Sequence, residues 1–168
     1  MAKNDKTLDE LFHDVLKDIY YAEKKILSSL PKMAKAAQSP KLKAAFEKHE
    51  RETDGQIDRL EKVFEIIEAP ARGKKCEAME GLIEEGASLL EEDADSDVLD
   101  AGIIAAAQKV EQYEIATYGT LCTWACQLGL EDAADLLGET LEEEKQTDLK
   151  LTELAESEIN IAAESPEA

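Results

Sequence analysis

Between Phe46 and Phe64 the chain reads FEKHERETDGQIDRLEKVF, and the helical period of this segment sets the interpretation of everything on either side. Phe46, Ile57, Leu60 and Phe64 recur at the spacing of a 3.6-residue turn and mark a buried face. Ala45, His49, Glu52 and Gln56 fall along that same side. A carboxylate on a buried face needs a partner, because an unpaired buried charge costs several kcal/mol. The segment therefore predicts a core helix that carries polar chemistry.

Upstream, Ser39 and Pro40 form a tight corner, with Ser39 as helix cap and proline at the first helical position. The second helix then spans 40–68. A first helix, 7–37, starts at Thr7 with Glu10 three residues on and carries the stripe Leu8, Leu11, Val15, Ile19, Ala22, Ile26, Leu30 and Met33. Pro31 is expected to bend its last turns. Two long helices joined by so short a corner must lie antiparallel.

Downstream, the run AlaProAlaArgGly at 69–73 breaks the helix. A shorter amphipathic helix, 74–92, follows with Met79, Leu82, Ile83, Leu89 and Leu90. Ser96 caps a third long helix, 97–128, with Val98, Ile103, Ile104, Val110, Tyr118 and Leu121 inward, and Gly129 closes it. The fourth, 131–158, runs through Ala134, Leu137, Leu141, Leu151 and Leu154, and a frayed tail occupies 159–168. Aromatic residues are only 5% and β-branched residues sparse, so strands are not expected. The expectation is one all-α domain over 1–168: a ferritin-like antiparallel four-helix bundle whose long crossover contains an extra short helix.

The 168 residues carry 39 acidic and 19 basic side chains, a formal charge of −20. Such a chain repels phosphates and attracts cations, which argues against nucleic acid and anionic membranes as partners. No run approaches the roughly 18 apolar residues of a membrane span, and MAKNDKTLDELF lacks the apolar core of a secretion signal. A cytoplasmic protein is expected. Cys76, Cys122 and Cys126 are too few for a disulfide framework. Cys122 and Cys126, four apart, read as small buried thiols rather than as a redox pair.

The inward acids recur. Glu23 is in register with Ile19 and Ile26, Glu114 with Val110 and Tyr118, and Glu144 and Asp148 with Leu137, Leu141 and Leu151, while Glu111 lies one turn before Glu114. Glu23 and Glu52 are 29 positions apart and Glu114 and Glu144 are 30, each pair straddling one short corner. At about 1.5 Å rise per residue this brings the four glutamates to one depth. Four ionised carboxylates there must be protonated, paired or metallated; Arg59 is the nearest candidate cation to Glu52, and Lys109 sits at an edge. Two divalent ions balance four carboxylates, and oxygen donors suit iron, the preferred ion, or manganese. His13 has no assigned role, and Trp124, Tyr20, Tyr21 and Tyr113 read as fillers, with Tyr118 the tyrosine nearest the acids.

The strings LFHDVLKDIYYAEKKILSSLPKMAKAA, HERETDGQIDRLE, CEAMEGLIEEG, DAGIIAAAQKVEQYEIATYGTL and ETLEEEKQTDLKLTELA, which occur in this order, resemble the YciF/YciE-type family of bacterial ferritin-like, stress-associated proteins. The resemblance spans about 7–155 and implies a ferritin-like bundle and a homodimer. It also implies a dinuclear pattern that falls on Glu23 and Glu114, then on Glu52 and Glu144. In the metal-binding reading Glu23 and Glu114 are terminal ligands, Glu52 and Glu144 bridges, and Gln56, Asp148, His49 or Glu111 supplementary donors. The histidines of the ordinary Glu-x-x-His motif are absent, since Gly55 and Thr147 stand three residues after Glu52 and Glu144. Metal binding is thus expected ahead of oxygen chemistry. The rival readings are a metal-dependent oxidase or peroxidase-like enzyme, which must lose turnover with Glu52 and Glu144, and a metal-independent dimeric helical interaction module, which must tolerate glutamine at all four glutamates.

Overall fold

The computed structural model describes residues 5–92 and 94–164, and no strand occurs among them. The elements are α1 Leu8–Ala36, α2 Pro40–Ile66, α3 Glu77–Leu89, α4 Ser96–Gln127 and α5 Glu131–Leu154. A π-helical turn, Ala155–Ile159, carries α5 on into α6, Asn160–Glu164. Each long helix packs against two others: α1 on α2 and α4, and α5 on α4 and α2. The short α3 lies on α1 and α4.

Local chemistry fixes the ends. Thr7 Oγ1 accepts from the Glu10 N–H while the Glu10 carboxylate accepts from the Thr7 N–H, a reciprocal cap. Ser39 Oγ accepts from the Leu42 N–H, and Pro40 begins α2. At the start of α4 the capping side chain is Asp95, whose carboxylate accepts from Asp97 N–H, rather than the expected Ser96. Gly129, at φ 74, makes the left-handed turn between α4 and α5. Glu68, at φ 52, turns the chain away just after α2, which therefore ends before the expected 68.

Two elements differ in length from the sequence expectation. α3 does not fill 74–92, because the preceding strap is tied to α1: Lys74 N–H donates to the Lys17 carbonyl at 3.1 Å, and a Cβ on Gly73 would come 3.1 Å from Tyr21 Cβ. Cys76 then caps the helix. At the other end the helix does not fray at Ile159, which is buried against the core and holds the chain helical to Glu164. The last four positions of the expected tail lie outside the described residues.

The core face of α1 is also rotated from the expected stripe. Phe12 and Leu16 are fully buried whereas Leu11 and Val15 are only partly so, because α1 is covered by α2, α4 and α3 together. Val98, expected inward, is 45% exposed at the start of α4. Pro31 lies within a continuous α1. Contrary to the reading of two buried thiols, Cys126 is exposed and Cys122 only half-buried, because the buried stripe of α4 runs through Tyr118, Leu121 and Ala125 and leaves both cysteines to one side.

Candidate metal centre

The centre of the molecule is polar. Glu23, on α1, stands one turn after Ile19 and one before Ile26, both buried, so its side chain has no route to solvent. His49 on α2, Glu111 and Glu114 on α4, and Glu144 on α5 are buried in the same way by the apolar residues of their own helix faces. His49, Glu111, Glu114 and Glu144 each offer one ligand atom, and these four atoms all lie within 4.8 Å of one another. His49 Nε2 is 3.2 Å from Glu111 Oε1 and 3.8 Å from Glu144 Oε2, yet in neither case with the alignment of a hydrogen bond.

Hydrogen-bond accounting separates this region from the rest of the core. Among the described residues, ten buried side-chain oxygen and nitrogen atoms lack a hydrogen-bond partner. All ten belong to Glu23, His49, Glu52, Gln56, Glu111, Glu114 and Glu144. Buried polar atoms are almost always satisfied, so a cluster of orphans signals something they are arranged to hold. Among the described residues, the Tyr118 hydroxyl is the hydrogen-bond donor to Glu23, at its Oε1.

Burial dominates the electrostatics. It pushes Glu23 and Glu111 up to about 8, and the negative charge of Glu144 adds to the effect on Glu23. Glu114 and Glu144 are raised further by burial, and neighbouring carboxylates add to both shifts. Glu114 lies against Glu23, and Glu144 against Glu111. Without a cation, burial favours the protonated, uncharged form of all four glutamates. Tyr118 is held well above the usual phenol range, chiefly by burial and then by Glu23.

The expected donors do not all meet. Glu23, Glu114 and Glu144 come together as the register predicts, with His49 and Glu111 drawn into the same group. Glu52 does not sit among them: it lies at the rim, one oxygen bonded to Lys48 on the solvent side and the other shielded and unpartnered. The reason is helical phase, since Glu52 stands three residues beyond His49 and the intervening 300° leaves it at the edge of the face that His49 occupies. Asp148 is also outside, its two carboxylate oxygens accepting from Gln108 and Gln112 at 3.2 and 2.8 Å.

Gln56 presents a buried, unpartnered Oε1, and its amide donates to Glu143 at 3.0 Å. Arg59, read as a partner for Glu52, instead forms a two-pronged bond to Glu143 at 2.8 and 2.6 Å and contacts Glu139 at 3.1 Å. Glu143 was missed in the sequence because it lies beside Glu144 on the wetter side of α5. Its link to Gln56 and Arg59 requires knowing that α2 and α5 are neighbours. Lys109 points to Glu85 on α3, away from the acids.

The donor set, an imidazole with several carboxylates, is the chemistry of hard to borderline divalent cations. The residues thus fit a metal: the orphaned atoms converge, no lysine or arginine enters the group, and the acids are too buried to stay ionised alone.

A family model described as a domain of unknown function, DUF892, matches residues 7–164. The chain belongs to this family. Protein YciF of Escherichia coli is 51% identical over 163 residues, covering 96% of this chain and 98% of its own. The crystal structure of the E. coli stress protein YciF superposes with a TM-score of 0.89, over 92% of this chain and 98% of that one. YcfI, a putative structural protein from Rhodopseudomonas palustris, is 43% identical with a TM-score of 0.86, over 90% and 97% of the two chains. A two-domain protein from Anabaena variabilis, described as containing DJ-1/ThiJ/PfpI-like and ferritin-like domains, matches at 19% identity and a TM-score of 0.65. That match covers 98% of this chain and 41% of the longer one, and is a likeness of fold alone. No helix among the described residues is long and apolar enough to cross a membrane.

Proposed function

We propose that this DUF892 protein is a stress-associated metal-binding protein that holds a dinuclear iron or manganese centre inside a ferritin-like bundle. The observation that carries this reading is the set of ten orphaned buried atoms, eight of them on Glu23, His49, Glu111, Glu114 and Glu144 and the other two on Glu52 and Gln56 at the rim. Glu23, His49, Glu111, Glu114 and Glu144 form the ligand set, with Gln56 and the inner oxygen of Glu52 at its edge. Four fully enclosed glutamates match the charge of two divalent ions. A second ion beside the one the His49 group can hold is what gives Glu23 a role. Asp148 is not a ligand in this reading, since its oxygens are engaged by Gln108 and Gln112.

The bundle architecture is supported by cross-helix contacts whose residue numbers rise on one helix as they fall on the other. Tyr20–Glu61 with the 37–39 corner ties α1 to α2, Cys122–Ala134 and Gln108–Asp148 tie α4 to α5, and Glu23–Tyr118 with Gln38–Asp100 ties α1 to α4. Gln56–Glu143 ties α2 to α5, and Lys41–Glu158 ties α2 to the π-helical turn that continues α5. Every adjacent pair is then antiparallel, and the two hairpins are joined by a crossover that carries α3.

Bound iron or manganese would supply a Lewis-acidic, redox-capable centre shielded from bulk water. The protein side is positional: Tyr118 orients Glu23, and the Arg59–Glu143 pair fixes Gln56 at the rim. Glu114 and Glu144 would release their protons as the metal binds. The stress association is that of the E. coli relative; a cytoplasmic homodimer belongs to the same reading. The test is metal content after anaerobic loading with iron(II) or manganese(II), for the wild type and for E114Q/E144Q. About two ions per wild-type chain and none in the double variant are expected. A wild type that retains neither metal sinks the reading, and sedimentation velocity decides the dimer.

A further inference from the structure

Beside the polar cluster, on the side covered by α3, lies a cavity of about 90 Å³. Its walls are apolar: Met33 from α1, Leu82 and Ile83 from α3, Leu90 just beyond that helix, and Val110 from α4. Its inner end is formed by His49 and Glu111, both members of the metal-ligating group. Lys32, which is exposed, and Ser29 stand on the lining from α1 and mark the way to solvent.

We propose that this cavity is a binding site for a small, uncharged, apolar molecule, which it seats under α3 with one end against His49 and Glu111. The inference deepens the metal-centre reading and rests on it for its functional meaning, because the occupant would lie beside the ligands. Three observations choose the occupant. Apolar walls give water too few partners, so a molecule without hydrogen-bonding needs along its length is preferred there. The apolar walls would strip an ion of either sign of its water without replacing it, so an uncharged molecule is favoured. The volume sets the size: an apolar cavity of about 150 Å³ takes benzene or xenon, so one of 90 Å³ suits a molecule between dioxygen and a chain of roughly three or four carbons.

The placement of α3 gains a purpose from this. Gly86 is buried on the cavity wall, where an added Cβ would stand 3.8 Å from Ala106 Cβ in ordinary contact. A larger side chain at 86 would occupy the cavity without disturbing backbone, and in a helix interior it would not be disfavoured against glycine. The crossover helix is therefore the cover of the cavity, and its glycine keeps the space open.

Xenon is the probe. Metal-free crystals of the full chain are pressurised with xenon, and anomalous scattering is compared between wild type and G86L. One xenon site between Val110 and Leu82 in the wild type, lost in G86L, is expected. In solution, xenon against argon should shift the side-chain resonances of His49 and leave those of His13 unmoved, the chain having only these two histidines. Should G86L fail to fold, A106V fills the same space from the α4 side. An unchanged xenon site in the filled variant, a cavity occupied by ordered waters bonded to His49 and Glu111, or an unmoved His49 resonance overturns the proposal. Metal loading of G86L is measured in parallel and should equal the wild type. Xenon in a chain that binds no metal defeats the metal reading alone, and metal without xenon defeats the cavity alone.

Discussion

Asp100 and Glu114 lie on the same helix, four turns apart, and both are almost completely buried. Asp100 is satisfied: its two oxygens accept from the Gln38 and Ser39 N–H groups at 2.9 and 2.7 Å, pinning the α1–α2 corner to α4. Glu114 has neither oxygen bonded and stands among three other buried carboxylates. The two acids are equally hidden, yet one is satisfied by protein donors and the other is not. Burial of a charge is therefore not the sign of a site; burial without hydrogen-bond partners is.

The largest effect that would break this contrast is on stability against pH. Glu23 and Glu111 hold protons up to about pH 8 when folded and release them near 4.5 when unfolded. Between those values the folded chain binds protons that the unfolded chain has lost, so stability falls as pH rises. Metal-free protein should be several kcal/mol more stable near pH 5 than near pH 8 in urea titrations. The slope should persist in high salt, where general repulsion of the −20 chain is screened, and vanish on metal loading. A flat profile without metal would place Glu23 and Glu111 among the ordinary acids.

Next comes D100A, which strands two backbone donors at the corner and should cost about 3 kcal/mol in urea unfolding without altering metal content. Glu114 should answer in the opposite sense. E114Q puts a neutral amide where the buried acid must take up a proton to be neutral, and should stabilise the metal-free chain at pH 8 by about 1 to 2 kcal/mol. A loss of stability as large as that of D100A would erase the distinction between the two acids.

The smallest effect sharpens the boundary of the site. Glu52 has one oxygen turned out to Lys48 and so should matter less than Glu144. E52Q is expected to weaken metal binding by about tenfold and E144Q by a hundredfold or more, read by competition with a chelator. Equal losses would return Glu52 to the bridging position that the sequence pattern assigns it.

Much of the interior was legible in the one-dimensional pattern. Glu23, Glu114 and Glu144 fall in register with apolar residues on their own helices, and helical periodicity depends only on the chain itself. The same holds for the Ser39–Pro40 corner and for the absence of strands among the described residues. The errors begin where a neighbour decides. Glu52 and His49 share a face within about 60°, and only the packing of α2 against α5 makes His49 the inward one. Nothing in the sequence sets Asp100 apart from the other acids of α4 until the α1–α2 corner arrives beside it. Glu143 reads as solvated until Gln56 and Arg59 reach it.

By itself, then, the sequence determined helix positions, the corners and the presence of acids on inward faces, because capping, turn geometry and the 3.6-residue period are local properties. Only the tertiary structure decided which acids meet, which are satisfied and where the space under α3 lies. Those depend on the rotation of each helix about its axis, and that rotation is set by the packing of all the helices at once rather than by any one of them.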